Sequence, residues 1–169
     1  DNLIDNILNL SKMDIQETSK VLEPLDIKLL ISNLEKKYYP VLKQKKLRLK
    51  TDLSGSLILN ADKSILVSIL SNLLDNAVKY ADENGAIYIS AFKPKDERLY
   101  LRITNTYREL DALELKELFK PFHRLRHTKN PGSGLGLTIV NKQLKKCNGS
   151  ITARNSKKGL MFELEFPNL

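Results

Sequence analysis

Apolar positions change period several times along the chain, and each change marks an element. Leu3, Ile7 and Leu10, with Ile4, Leu8 and Met13, form a narrow stripe at helical spacing, as at the end of a coiled or bundled helix. Residues 14–24 lose that period and read as a linker, with the compact domain starting near Leu25. A helix is expected over 27–44. It is followed by alternating Leu47, Leu49 and Thr51, a strand with one face to a core, and by a short strand over 57–59. Asp62 is a good N-cap for a central helix running to about Ala81 and stopping before Asn84 and Gly85. Residues 86–92 and 99–103 alternate around Lys95 and Asp96 and read as an antiparallel hairpin. A short helix over 112–118 comes next, then a helix over 135–147 closed by Asn148 and Gly149. A last hairpin, 151–154 with 160–166, turns at Lys158 and Gly159. Hairpins plus three helices give an α+β sandwich whose sheet is covered on one face.

A chain of 169 residues is long enough for one well-packed core. Cys147 is its only cysteine, so no intrachain disulfide is possible, which fits a reducing compartment. No stretch approaches the run of roughly 20 apolar residues that a membrane helix needs. The chain starts at Asp1 inside an amphipathic pattern already under way, so it reads as a piece of a longer protein with room for a targeting segment upstream. The net charge of +8 raises nucleic acid or an anionic surface as a partner, but its distribution favours something smaller. Eleven Lys or Arg and one acid, Glu117, lie between Lys116 and Lys158, in the segment that also holds the only glycine cluster. A small phosphate ligand accounts for that charge as well as a polynucleotide does. A solvated basic face is the plainer alternative.

At about 100° per residue, Asn72, Asn76 and Lys79 fall within roughly 60° of one another, while Leu66, Leu70, Leu73, Leu74 and Ala77 take the opposite side. Asparagine competes for backbone hydrogen bonds, so two of them in mid-helix need a reason. Amide oxygens could complete the shell of Mg²⁺, which keeps waters and substrate phosphates. Lys79 would add a positive charge. Taken alone, this helix is better read as a solvated face with two incidental asparagines. Gly132, Gly134 and Gly136 immediately precede the helix carrying Leu137, Ile139, Val140 and Leu144. Residues without Cβ let the backbone approach a ligand, and the N–H groups of a helix start attract phosphate. The spacing lacks the strand context of a dinucleotide fold and the Gly-Lys-Ser/Thr ending of a P-loop. Taken alone, the loop is better read as a flexible hinge or a loose helix start.

Taken in order, three segments are specific: Asn72-Leu-Leu-Asp-Asn76-Ala-Val-Lys79-Tyr80, Leu118-Phe-Lys-Pro-Phe122-His-Arg124 and Gly132-Ser-Gly-Leu-Gly-Leu137-Thr-Ile-Val140. They resemble the N, F and G2 boxes of the ATP-binding domain of sensor histidine kinases, and the resemblance spans essentially the whole chain. It implies a Bergerat-type, two-layer α/β sandwich: a mixed sheet of about five or more strands, three helices on one face, and an ATP lid over about 111–133. Residues 1–13 would end the dimerisation helix, 14–24 link it, and 25–169 form the catalytic domain. Asn76 would be the Mg²⁺ ligand, supported by Asn72. Lys79 would meet phosphate, and Tyr80 would lie against adenine. Phe119 and Phe122 would anchor the lid by apolar packing, and Phe122 would border the nucleotide. Arg124 would reach the terminal phosphate, while Arg126 and Lys129 read as exposed lid charges in preference to further phosphate helpers. Gly132, Ser133, Gly134, Leu135, Gly136 and Leu137 would form the phosphate cradle. Asn76, Lys79 and Arg124 are the catalytic candidates, and ATP and Mg²⁺ are the implied cofactors.

One stretch departs from the pattern. The family commonly carries Asp-x-Gly-x-Gly after the strand ending near Ile103, the Asp accepting from the adenine amine; here Asn105-Thr-Tyr-Arg-Glu stands there. An amide oxygen still accepts, at an expected affinity roughly tenfold weaker. The two histidines, His123 and His127, lack the surroundings of a phosphoacceptor and read as lid residues. The acceptor is then expected upstream, and this stretch alone should not label itself. The implied partners are the phosphoacceptor and dimerisation domain of the same protein and a response regulator. The full-length protein is expected to be a membrane-anchored homodimer with this domain in the cytoplasm, and the isolated stretch monomeric. Two rivals stay open. One is a scaffold or an ATPase of the same fold, with Asp75 or Asp62 as general base. The other is a basic nucleic-acid-binding domain, disfavoured because the basic segment lacks a stacking platform.

Overall fold

The computed structural model describes residues 21–94, 98–125 and 133–167. Its main sheet has five strands in the order β2-β4-β5-β7-β6: β2 (Arg48–Leu53), β4 (Ala86–Phe92), β5 (Leu99–Asn105), β6 (Ser150–Ser156) and β7 (Gly159–Phe166). Only β2 and β4 run parallel; the other neighbours are antiparallel, so the sheet is mixed. A separate two-stranded ribbon pairs β1 (Glu23–Asp26) with β3 (Ile58–Ala61). The ribbon thus begins within the stretch read as a linker. Pro24 and the largely exposed pattern of β1 conceal it, because its pairing with β3 lies far away in sequence.

Three long helices supply the second layer: α1 (Ile27–Gln44), α2 (Lys63–Tyr80) and α4 (Gly136–Lys146), with a short α3 (Ala112–Glu117). All but α4 begin at a side-chain cap. Asp26 accepts from the N–H groups of Lys28 and Leu29, and Asp62 from those of Ser64 and Ile65, satisfying donors that no helical carbonyl reaches. Asp111 and Glu114 form a reciprocal capping box on α3.

Leu66, Ile69, Leu70, Leu73 and Leu74 of α2 lie fully within the core, as do Ile27 and Ile31 of α1 and Val140 and Leu144 of α4. They meet the inward rows of the sheet, including Ile89, Ile103 and Phe162, which stand beside one another across β4, β5 and β7. The expected sandwich is the observed one. β2 differs in detail. It is an edge strand, so Thr51 is exposed and Leu49, though packed against the core, is only partly buried.

One row decides where a ligand can sit. Leu49, Ile87, Asn105, Leu160 and Asn155 are register partners across all five strands. In this core-facing row Asn105 is only 2% exposed. The carboxamide of Asn155 accepts from the Leu110 N–H at 3.0 Å and donates to its carbonyl at 2.8 Å, fixing the chain as it leaves the sheet.

Candidate functional site

Between α2, α4, the end of β5 and residues 118–125 lies a cavity of about 340 Å³. The amides of Asn72 and Asn76 form one wall. Asn72 donates its Nδ2 to the Ser68 carbonyl at 2.9 Å, the backward bond open to a mid-helix amide. That bond leaves Oδ1 facing α4, where a Cβ built on Gly136 would lie 3.4 Å from it and 3.6 Å from Asn76 Nδ2. Asn76 also lines the cavity, and its amide makes no hydrogen bond among the described residues.

The opposite wall is the start of α4, which has no side-chain cap. Ser133 Oγ accepts from the Leu135 N–H at 3.3 Å, but the first-turn N–H groups beginning at Gly136 have no helical acceptor. Together with the helix macrodipole they make a seat for an anion. Gly134 reaches this position with φ +70°, and a Cβ there would fall 2.7–2.9 Å from the main chain of Phe122 and His123. Only glycine allows the two segments to pass at that distance.

α2 and α4 are locked together behind the cavity. Gln143 donates its Nε2 to Ser68 Oγ at 3.0 Å, while the carbonyl of the same serine receives Asn72. On the other side of α2, the buried Tyr38 of α1 shares its hydroxyl hydrogen between Asp75 Oδ1, 2.6 Å away, and the Ser71 carbonyl, 3.1 Å away. Burial raises the Tyr38 phenol above its ordinary pKa, and the bond and charge of Asp75 push it further. It therefore remains a proton donor at neutral pH.

The apolar end of the cavity is floored by Leu160 and Phe162 of β7 and closed by Leu118, with Asn105 as the polar group among them. Asn105 donates its Nδ2 to the Thr106 carbonyl at 3.3 Å, and its Oδ1 accepts no hydrogen bond among the described residues. Thr106 ties the end of β5 to the turn after α2: its Oγ1 accepts from Ala86 N–H and its carbonyl from Asp82 N–H. Tyr80 also lines the cavity, packed edge-on to Tyr107 and approached by the Lys79 ammonium at 4.8 Å from its ring centre.

Of the residues singled out from sequence, Asn72, Asn76, Lys79, Tyr80, Asn105, Arg124, Ser133, Gly134, Gly136 and Leu137 line this one cavity. Leu135 does not; it is fully buried, and its carbonyl accepts the first bond of α4. Phe122 also departs from expectation. Its φ of 60° turns the ring outward to 62% exposure, so the main chain rather than the ring reaches Gly134. Phe119 packs edge-on to Phe162 at 6.4 Å, and its carbonyl accepts from Thr138 Oγ1. Gly132, Arg126, His127 and Lys129 lie outside the described residues, as do residues 1–13.

Several cavity residues carried no assigned site role in the sequence reading: Leu118, His123, Leu125, Leu160 and Phe162. The apolar ones read as ordinary core because nothing local distinguishes a cavity floor from packing. Among the described residues no three His, Cys, Asp or Glu side chains cluster as a metal cage. Amide oxygens next to an anion seat instead suit a hard cation that brings phosphate oxygens and waters as its other ligands.

Residues 61–169 match the family described as "Histidine kinase-, DNA gyrase B-, and HSP90-like ATPase". Sensor protein VanSB of Enterococcus faecalis is 30% identical over 167 residues, 97% of this chain and 37% of that protein, so the chain spans little more than a third of this relative's length. Among solved structures, full-length ShkA in complex with AMPPNP superposes with a TM-score of 0.87 at 24% identity, covering 98% of this chain and 35% of that one. Histidine kinase ThkA in complex with response regulator protein TrrA superposes with a TM-score of 0.83 at 21% identity, covering 99% and 47%. At these identities the two structures establish the fold.

Proposed function

The chain belongs to the histidine kinase-, DNA gyrase B- and HSP90-like ATPases, and from that premise we propose that it is the ATP-holding catalytic domain of a sensor histidine kinase, which presents a γ-phosphate to a histidine elsewhere in the protein. The observation that carries this reading is the meeting of the Asn72 and Asn76 amides with the main chain of Gly136 across a single cavity. Resemblance to VanSB over nearly the whole chain supports the kinase branch of the family.

In this reading Asn76, whose amide makes no hydrogen bond among the described residues, and Asn72 Oδ1 would hold Mg²⁺, which would neutralise charge on the phosphates. The N–H groups opening α4 receive phosphate oxygens, with Lys79 and Arg124 adding positive charge. Tyr80 packs on the base, and Asn105 accepts from the adenine amine. The chain's own contribution to transfer is positioning and charge neutralisation. A response regulator and the dimerisation and phosphoacceptor domain of the same protein are the proposed partners, and the cytoplasmic side of the membrane the proposed location. No helix among the described residues is long and apolar enough to cross a bilayer.

Asp75, a carboxylate lining the cavity beside Asn76, sustains a second reading: an ATPase using it as a general base. Steady phosphate release by the isolated chain would favour that reading; its absence favours the kinase. The central test is thermal denaturation with Mg²⁺ and ATP against Mg²⁺ and GTP. A ligand at a hundred times its Kd adds about 2.7 kcal/mol, so a shift for ATP that disappears in Asn76→Ala is expected. Equal shifts in both proteins would mean that the site is misassigned.

A further inference from the structure

α2 and α4 approach each other at the cavity and are bonded to each other behind it. At the cavity the α4 main chain faces the two amides of α2: a Cβ on Gly136 would stand 3.4 Å from Asn72 Oδ1 and 3.6 Å from Asn76 Nδ2. About two turns further along α4, Gln143 donates its Nε2 to Ser68 Oγ at 3.0 Å. Ser68 precedes Asn72 by about one turn of α2, and its carbonyl receives the Asn72 side chain at 2.9 Å. By the helical pattern the same carbonyl takes the Asn72 main-chain N–H, so both its lone pairs are used. A flipped Asn72 amide would set Oδ1 against an oxygen that has nothing to donate, and Oδ1 therefore stays turned to α4. Ser68 is thus bonded to α4 by its hydroxyl and to the Asn72 amide by its carbonyl.

Gln143 is a poor choice for packing alone. Its Oε1 is buried and takes no hydrogen bond among the described residues, and a buried acceptor left unpaired offsets much of what the Nε2 bond contributes to the fold. The fully buried positions on the same helix, Ile139, Val140 and Leu144, are apolar. What the amide adds is a directional bond that fixes the spacing of two helices.

We propose that Gln143 is a positioning residue for the metal and phosphate site: through Ser68 it holds α2, with Asn72 and Asn76, in a set register against the start of α4. This rests on the reading of the cavity as a Mg²⁺ and ATP site. Such a site needs both walls together, because the cation would take amide oxygens from α2 and oxygens of phosphates seated on α4, and sliding one helix past the other would part the two sets of ligands. Neither Gln143 nor Ser68 lines the cavity, so their effect is on geometry and not on contact.

The test is calorimetric titration of the chain with ATP in Mg²⁺, ATP in EDTA and adenosine, using wild type, Gln143→Leu, Ser68→Ala and the double variant. Ser68→Ala removes the hydroxyl and leaves the carbonyl that holds Asn72. Gln143→Leu is expected to melt within a few degrees of wild type, so that binding is compared between folded proteins. In each single variant the gain in ATP affinity that Mg²⁺ brings is expected to shrink about threefold to tenfold, the range of one neutral hydrogen bond, with adenosine binding unchanged. The double variant is expected to lose no more than the larger single loss, because both changes remove the same bond. The inference is overturned if both single variants keep the wild-type gain from Mg²⁺, if adenosine weakens in step with ATP, or if the two losses add. With wild type responding to Mg²⁺, any of these results removes Gln143 alone. If wild type binds ATP no better with Mg²⁺ than without it, the reading of the cavity falls and the inference falls with it.

Discussion

Gly136 stands opposite Asn72 with room for one carbon between them: a Cβ added to the glycine would lie 3.4 Å from Asn72 Oδ1, an ordinary contact. The protein should therefore tolerate Gly136→Ala as a fold while losing the approach of phosphate to the α4 main chain. The expected result is a Tm within a few degrees of wild type and ATP affinity lowered by about tenfold or more. Calorimetry paired with a melt checks it, and a variant that binds normally would place the phosphates elsewhere.

Gly159 has a different reason to be glycine. It turns β6 into β7 at φ +125°, and a Cβ there would fall 2.1 Å from the Asn105 carbonyl and 2.8 Å from Thr106 Cα. Gly159→Ala should cost roughly 2–3 kcal/mol in a urea melt and weaken ATP as well, because the backbone that must move carries Asn105.

Asn105→Asp replaces a neutral acceptor by a charged one. ATP should bind roughly tenfold more tightly. The empty domain should lose about 1 kcal/mol, since a buried carboxylate replaces an amide that donates to Thr106. Unchanged or poorer binding would show that Asn105 does not face the base.

Tyr38→Phe removes the donor shared by Asp75 and the Ser71 carbonyl. Because Asp75 is solvent-exposed, the expected loss is modest, about 1 kcal/mol. In a double-mutant cycle with Asp75→Asn the two losses should fall short of additivity; strictly additive losses would show that the pair does not interact.

Asp62 gives α2 a pH dependence. The Ser64 hydroxyl, aided by the N–H groups of Ile65 and Ser64 against a smaller opposing effect of burial, holds its carboxyl below the ordinary value. A carboxyl lowered by folding stabilises the fold fully above its unfolded pKa of about 3.9. That contribution is lost as pH falls through the lower, folded value. Asp62→Ala should lose about 1 kcal/mol at pH 7 and show a shallower acid loss below about pH 4 than wild type. Parallel acid profiles would contradict the assignment.

The elements built on periodicity and caps were legible from the chain itself: α1, α2 and α4 begin and end within a residue or so of expectation. So were the polar groups whose placement cost something locally, such as Asn72 and Asn76 in mid-helix or Gly134 before α4. Residues whose role depends on a distant strand were not. β1 exists because β3 is there to pair with it. Leu160 and Phe162 become a cavity floor only once β7 lies beside β5. Phe122 misled because a hydrophobic residue in a loop suggests an anchor, whereas its positive φ reverses the direction of the ring.

If Asn105 reads the base as proposed, the cross-strand row from Leu49 to Asn155 would put that recognition on one strand, flanked by Ile87 and Leu160. On that reading a change of ligand preference would come from exchanging the one side chain at position 105, at a cost in stability because that side chain is buried.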